Sequence, residues 1–79
     1  MLTENDLLKL IQKSLKLKKK ISLSSNSDNT PEWDSLGHLS ILTALDKKLM
    51  GKTSKLGALA TANSVNKIIK ILILNKLIK

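Results

Sequence analysis

The residues best placed to do chemistry lie in one short stretch, Trp33 to Leu39, which brings together Asp34, Ser35 and His38. The stretch follows a polar segment and precedes a segment with helical apolar spacing, so it predicts a helix start near Ser35. A serine there exposes its hydroxyl, and the positive end of the helix dipole favours an anion beside it.

Three roles for Ser35 are open on the residues alone. It could cap the helix, since Ser and Asp are both preferred at that position. It could be a nucleophile with His38 as its base, although no second acidic partner and no Gly-x-Ser-x-Gly elbow accompanies the pair. It could be a covalent attachment point for a phosphodiester. The chain has no cysteine, so any thiol would have to come from such an attached group.

The composition limits the classes of protein to consider. The 79 residues predict a single domain, 1–79, with a small core. The lack of cysteine and the single histidine argue against disulfides and the usual zinc sites, so no metal site is expected. Residues 1–6 are acidic and polar, unlike a signal peptide, and no apolar run approaches the roughly 20 residues that span a bilayer. We expect a cytoplasmic monomer.

The formal net charge of +8 raises nucleic acid or an anionic membrane as partners. All the basic residues are lysines, whereas bidentate contacts to guanine or phosphate favour arginine. The chain has no Phe or Tyr and a single Trp, which leaves no platform for stacking bases. Nucleic-acid binding is therefore not expected.

The elements that must position Ser35 are predicted to be helices, because apolar residues recur three and four apart while Gly and Pro are scarce. Helix one should begin with Thr3 as its cap and end near the lysine run 16–20. A polar loop over 22–31 follows, with Leu23 expected to anchor it to the core. Helix two should span Ser35 to Met50, with Gly51 as its C-terminal cap.

Two further helices complete the predicted all-α class. A short third helix is expected over 56–61, and a fourth should start after Asn63 or Ser64 and run almost to Lys79. The second helix could also start at Pro31, or a single turn over 31–33 could precede a fresh start at Ser35. The sequence leaves these starts open.

Helix four has apolar residues on two sides. One side is predicted to face inward and consists of Val65, Ile68, Ile69 and Leu72. A second apolar line on another side consists of Ile71, Leu74 and Ile78. One interpretation is that the helix end bends and buries the second line. The other is that residues 67–74 contact a membrane surface or a partner.

The triplet Asp34-Ser35-Leu36 resembles the Asp-Ser-Leu signature of acyl carrier proteins. Its surroundings, 31–39 and 41–46, are similar to the second helix of that family and its approach. Ile21-Ser22-Leu23 resembles the segment after the family's first helix, and Asn63-Ser64-Val65 with Ile68 and Ile69 resembles the start of its fourth. The resemblance covers nearly the whole chain in order and spacing.

The resemblance implies a four-helix bundle with a long loop between helices one and two and a short third helix. Such proteins are not themselves enzymes. A phosphopantetheinyl transferase would attach 4′-phosphopantetheine from coenzyme A to Ser35, and the arm's thiol would carry acyl groups as thioesters. The setting would be fatty acid biosynthesis or a specialised acyl or secondary-metabolite pathway.

The resemblance also implies roles for other residues. Asp34 would help the transferase recognise the site, and Leu36 and Leu39 would contact partner enzymes. An acyl chain would shelter in a groove lined by Leu42, Leu45, Leu59, Val65 and Ile68.

One departure from the family concerns charge. The second helix of these carriers is usually acidic, whereas here its face is expected to carry Gly37, Ser40, Lys47, Lys48 and Lys52, with Asp46 as its main acid. Partner enzymes are therefore expected to have neutral or acidic docking surfaces. The alternative function is a basic, non-catalytic helical module that binds an anionic membrane surface or nucleic acid.

Overall fold

The computed structural model describes residues 2–18 and 20–78, and within the latter range nothing is described of the side chains at 54 and 55. The predictions that involve Lys19 and Lys79 fall outside these residues. The described chain forms three α-helices, α1 (Glu4–Ser14), α2 (Ser35–Lys48) and α3 (Val65–Leu74). Two 3₁₀ helices, Lys52–Lys55 and Gly57–Thr61, lie between α2 and α3. These described residues include no strand, which confirms the all-α class.

The predicted third helix over 56–61 is a 3₁₀ helix instead of an α-helix, and a second 3₁₀ helix that was not predicted precedes it. Short 3₁₀ pieces are common connectors where a segment is too brief to propagate an α-helix. Gly57 weakens the segment further, and Leu59, which is buried, holds it against the core. The region between α2 and α3 is therefore a pair of tight turns.

The predicted start of α1 is confirmed. The Thr3 side chain accepts a hydrogen bond from the Asp6 N–H at 3.1 Å, and the Thr3 N–H donates to the Asp6 carboxylate at 3.2 Å. This reciprocal pair is a capping box, which satisfies two N–H groups at the start of the helix. A threonine followed three residues later by an acid was the sequence signal for it.

All three helices end earlier than predicted, α2 by two residues and α3 by about one turn. The helices end at Ser14, Lys48 and Leu74, and a residue with positive φ follows each of them, namely Lys16 (φ 54°), Met50 (φ 56°) and Lys76 (φ 56°). Left-handed residues close helix C-termini by turning the backbone N–H groups back onto the last carbonyls. The lysine run at 16–20 thus follows α1 instead of ending it. Gly51 (φ 82°), predicted as the cap of helix two, extends the left-handed turn begun at Met50.

The end of α3 supports the interpretation that the chain bends and buries part of the second apolar line. The Leu77 N–H donates to the Leu72 carbonyl at 2.9 Å, and the chain turns so that Ile78 is buried and pairs with Leu2. Ile71 is half-buried, whereas Leu74 stays exposed. Most of the line is therefore tucked in, and the apolar exposure is confined to the last turn.

The core lies among the three α-helices. Its largest fully buried side chains belong to all three of them, namely Leu7, Ile11, Ile41, Leu45, Val65, Ile68 and Leu72. The loop over 22–31 is anchored by the buried residues Ile21 and Thr30 at its two ends, whereas Leu23, the predicted anchor, is exposed. Within the described chain, no helix combines the length and the apolar character that crossing a membrane would require.

Candidate functional site

The start of α2 is set by Asp34. Its backbone is extended, and its carboxylate accepts a hydrogen bond from the Gly37 N–H at 2.8 Å, as an N-cap side chain does. Of the three roles that the sequence left open for Ser35, the structure does not support the capping role, because Ser35 is the first helical residue. The Trp33 N–H donates to the Thr30 carbonyl at 2.9 Å, so a turn over 31–33 precedes the fresh start at Ser35.

Ser35 presents its hydroxyl to solvent on this first turn. The described part of the chain offers that hydroxyl no hydrogen-bond partner. Because Asp34 takes the capping role, no local backbone bond competes for the serine oxygen. The arrangement leaves Ser35 accessible to an external reagent.

Gly37 lets the first turn of α2 pack closely on what precedes it. Gly37 is buried, and a Cβ atom there would lie 2.7 Å from Leu15 Cδ2 and would overlap the Glu32 carbonyl oxygen. Glycine is required here because there is no space for a Cβ atom. Its conformational freedom is not needed, since Gly37 lies within the helix. Its predicted place on the exposed face of helix two is therefore wrong, and α2 begins in direct contact with the end of α1.

A chain of two hydrogen bonds ties the same turn to the second 3₁₀ helix. The Trp33 Nε1–H donates to His38 Nδ1 at 3.0 Å, and His38 Nε2 lies 2.9 Å from the Leu59 carbonyl oxygen. An indole N–H can only donate and a carbonyl can only accept, so the proton of the neutral imidazole is on Nε2. The two rings also stack, with centroids 6.3 Å apart.

The hydrogen bonds of His38 bear on whether Ser35 could be a nucleophile with His38 as its base. Both ring nitrogens of His38 are occupied by Trp33 and Leu59, so neither is free to accept a proton from Ser35. A serine nucleophile needs a base within hydrogen-bond reach of its hydroxyl. His38 acts as a structural link, and the structure does not support serine–histidine catalysis at Ser35.

A groove opens beside Ser35, between α2, the second 3₁₀ helix and the loop that precedes Trp33. It has a volume of about 590 Å³ and is lined by polar and apolar residues alike, namely Ser27, Trp33, Asp34, Ser35, His38, Leu39, Leu42, Ala60, Thr61 and Asn63. A second cavity of about 420 Å³ shares Leu42 and Ala60 with it and extends toward Asp46 and Thr53. The two cavities are neighbours along α2 and share these two residues as a common border.

The loop wall of this groove is held by backbone bonds to the start of α3. The Ser27 N–H donates to the Asn63 carbonyl at 2.9 Å, and the Val65 N–H donates to the Ser25 carbonyl at 3.0 Å. Inside the loop, the Asn26 side chain accepts from the backbone N–H groups of Asp28 and Asn29. Asparagine side chains commonly organise turns in this way. A polar loop without apolar anchors of its own thus becomes a defined wall.

The predicted groove residues divide into two groups. Leu42 lines both cavities and Leu59 lines the second one. Leu45, Val65 and Ile68 are fully buried in the core, away from the groove. Leu36 and Leu39, the predicted partner contacts, flank Ser35 and are 76% and 59% exposed.

Charges are distributed unevenly around the site. Residues 21–46 hold four of the six acids and none of the fourteen lysines. Lys48 lies about 20 Å from Ser35 along α2, at 1.5 Å per residue. Asp46 accepts a hydrogen bond from the Thr53 hydroxyl at 2.8 Å, so it joins α2 to the first 3₁₀ helix. The basic face predicted for helix two therefore belongs to its far end and leaves the Ser35 end neutral to acidic.

One carboxyl group at that far end has a perturbed pKa. Hydrogen bonds from the Thr3 side chain and backbone lower the pKa of Asp6 below its ordinary value, and the nearby charges of Lys48 and Lys9 lower it further. Loss of hydration acts in the opposite direction, without cancelling the hydrogen bonds.

The sequence predicted Ser35, Asp34, Leu36, Leu39 and Leu42 at this end of the molecule but missed the linking role of Trp33 and His38. The chain has one tryptophan and one histidine, and they are five residues apart. Two rings that each carry a polar nitrogen at this spacing were the sequence signal for a hydrogen bond between them. Thr61 and Asn63 reach the groove through tertiary packing, for which the sequence has no local sign.

No cluster of potential metal ligands occurs among the residues the structure describes. Comparisons with known protein families, with curated proteins and with solved structures found no match for this chain.

Proposed function

We propose that the chain is an acyl carrier protein, modified on Ser35 by 4′-phosphopantetheine, and not itself an enzyme. The observation that carries the proposal is the exposed Ser35 hydroxyl on the first turn of α2, beside a groove of about 590 Å³. A carrier needs an accessible attachment oxygen on a rigid support. The Asp34 cap, the close packing at Gly37 and the Trp33–His38 link all make the support rigid.

The residues around Ser35 fit the implied group. The N–H groups of Ser35 and Leu36, in the first turn, have no partner within the helix, and such groups favour a phosphate. The groove pairs polar side chains that suit amides, Ser27, Thr61 and Asn63, with the apolar wall of Leu39 and Leu42. When bound, the group would supply the thiol that carries acyl chains as thioesters, which the cysteine-free protein lacks.

The helix cap and the exposed leucines have separate roles in the proposed carrier. Asp34 fixes the helix start, so it would hold the serine where a transferase can reach it. Leu36 and Leu39 would bury their exposed side chains against partner enzymes. No lysine lies in residues 21–46, so a partner that contacts only the Ser35 end meets no basic residue of α2. A partner that also contacts Lys47, Lys48 or Lys52 is expected to have a neutral or acidic docking surface.

The groove rather than the core is the proposed place for the cargo. Leu45, Val65 and Ile68 are packed with no exposed surface, so an acyl chain among them would have to separate the helices. Leu42 borders the groove and the neighbouring cavity, which Leu59 also lines, so the first carbons of a cargo could lie against Leu42 without such a movement.

The test is enzymatic loading followed by intact mass measurement. The purified chain is incubated with coenzyme A and a phosphopantetheinyl transferase of broad specificity. We expect one added phosphopantetheine mass on the wild type and none on Ser35→Ala. Ser40→Ala, which removes another exposed hydroxyl of α2, is the matched control and should be loaded fully. Failure of the wild type to gain mass with several transferases would overturn the proposal.

A further inference from the structure

The end of α2 that lies away from Ser35 gathers lysines from three separate parts of the chain. Lys48 at the end of α2, Lys52 in the first 3₁₀ helix and Lys76 after α3 line a common cleft of about 350 Å³ with Met50 and Leu77. We call these five residues the lysine pole. Only folding brings them together, since Lys48 and Leu77 are 29 residues apart in the sequence.

A larger cleft continues this basic surface. It has a volume of about 840 Å³, lies between α1 and α2, and is lined by Lys9, Lys13, Lys16 and again Lys48. Asp6 is the one acid that lines either cleft, and its carboxylate already accepts the Thr3 N–H at 3.2 Å. Among the described residues, six lysines thus line the two clefts with a single, already engaged carboxylate, so positive charge dominates both.

Apolar side chains are exposed among these charges. Met50 is 87% exposed at the left-handed turn that ends α2, and Leu74 is 82% exposed two residues before Lys76. Large apolar side chains exposed beside lysines are typical of surfaces that enter the headgroup region of a bilayer. Double-stranded nucleic acid would gain nothing from Met50 or Leu74.

We propose that the lysine pole binds the surface of an anionic lipid bilayer, with Met50 inserted between headgroups. The basic residues are all lysines, compact charges that suit a diffuse negative surface, whereas arginine favours bidentate contacts to individual phosphates. Each lysine near such a surface strengthens binding by about fivefold.

Binding in this way would also orient the molecule. Asp28, Glu32 and Asp34 lie near the Ser35 end, about 20 Å from the pole along α2, and an anionic surface would repel them. Ser35 would then face the solvent, where a transferase or a partner enzyme could reach it. This consequence rests on the proposed function, whereas binding by the pole does not.

The first experiment is vesicle cosedimentation of the full chain at low salt. We expect binding to vesicles of phosphatidylcholine mixed with phosphatidylserine, no binding to phosphatidylcholine alone, and loss of binding as salt rises. The triple variant Lys48→Gln, Lys52→Gln and Lys76→Gln should bind roughly a hundredfold more weakly, from about fivefold for each lysine.

The matched control removes the same charge elsewhere. Lys18 and Lys20 line a different cleft together with Glu32, and the Lys67 ammonium donates to Asn63 beside the Ser35 groove at 3.0 Å. Lys18→Gln, Lys20→Gln and Lys67→Gln should weaken binding by no more than about fivefold, through net charge alone. Equal losses in the two triple variants would overturn the proposal, as would the absence of binding at low salt.

The second experiment measures orientation. Because the chain lacks cysteine, Met50→Cys and Leu36→Cys can each carry a single environment-sensitive fluorophore. We expect a blue shift on anionic vesicles for the label at position 50 and none for the label at position 36. A shift at position 36 alone, or tighter binding to a DNA duplex than to the vesicles in the same buffer, would contradict the assignment. None of these readouts depends on loading of Ser35.

Discussion

The two ends of α2 are built in opposite ways. At the Ser35 end, the Asp34 cap, the contact of Gly37 with Leu15 and the hydrogen-bond chain through His38 join the helix to its surroundings. At the far end, the Asp46–Thr53 hydrogen bond joins the helix to the first 3₁₀ helix, but the helix closes through the left-handed Met50, and Lys48 and Met50 are exposed to solvent.

This difference matches what each end is proposed to do. A hydroxyl that must be recognised and modified gains from a fixed position, because a reaction geometry tolerates little displacement. A lysine surface that binds a bilayer needs only its charge and a few apolar side chains, since it recognises no individual ligand. Rigidity at one end and charge at the other can therefore be tested separately.

The largest expected effect concerns His38. His38→Ala should lower the free energy of unfolding by about 3 kcal/mol, because it leaves the buried Trp33 N–H and the Leu59 carbonyl without partners. Chemical denaturation at neutral pH measures it. Lys52→Ala at the lysine pole should cost under about 0.5 kcal/mol. In a Trp33→Phe background the His38→Ala loss should shrink, and an unchanged loss would show that the indole bond is unimportant.

Gly37→Ala should come next, with a loss of about 2 kcal/mol despite the better helix propensity of alanine. The added methyl group would overlap the Glu32 carbonyl oxygen and Leu15. Gly57→Ala is the matched control, since a Cβ there has no atom within 4 Å, and its effect should stay within about 0.5 kcal/mol. Similar losses at both glycines would refute the close packing of the Ser35 end.

A smaller difference should separate Asp34 from its neighbour. Asp34→Ala should cost about 1 kcal/mol, because it removes the bond to the Gly37 N–H that starts α2. Ser35→Ala should change stability by less than about 0.5 kcal/mol, since Ser35 is not the cap. Thermal or urea unfolding of the two variants side by side decides which residue caps the helix. The reverse order would restore Ser35 to the capping role.

The smallest expected effect is the pH dependence due to Asp6, which lines the same cleft as the lysine pole. Hydrogen bonds from Thr3 and the charges of Lys48 and Lys9 lower the pKa of Asp6, so its contribution to stability is present above the unfolded-state pKa. It is lost as pH falls from the ordinary value of 3.8 through the lowered value. Unfolding measured across this range should be less pH-dependent in Asp6→Asn than in the wild type. An unchanged slope would mean that Asp6 has no such role.

Much of the fold followed from local patterns. The apolar spacing predicted the helical class, Thr3 and Asp6 predicted the start of α1, and the stretch around Ser35 predicted the start of α2. Helix ends were predicted poorly because Lys16, Met50 and Lys76 take left-handed conformations that their residue types disfavour. Each turn is closed by a backbone hydrogen bond from the residue that follows it to a carbonyl five residues back, namely Leu17 to Gln12, Gly51 to Asp46 and Leu77 to Leu72.

The sequence by itself determined an all-α chain with an exposed serine behind an acidic residue, without cysteine, and with its lysines outside residues 21–46. These properties depend on residue type and on neighbours within a helical turn or two. Tertiary structure decided that His38 Nε2 bonds the Leu59 carbonyl, 21 residues away, so that the imidazole links two elements instead of acting as a base. It also decided that Lys48, Lys52 and Lys76 share one cleft. Such contacts join residues far apart in the chain, and they form only when burial of the common core holds the helices together.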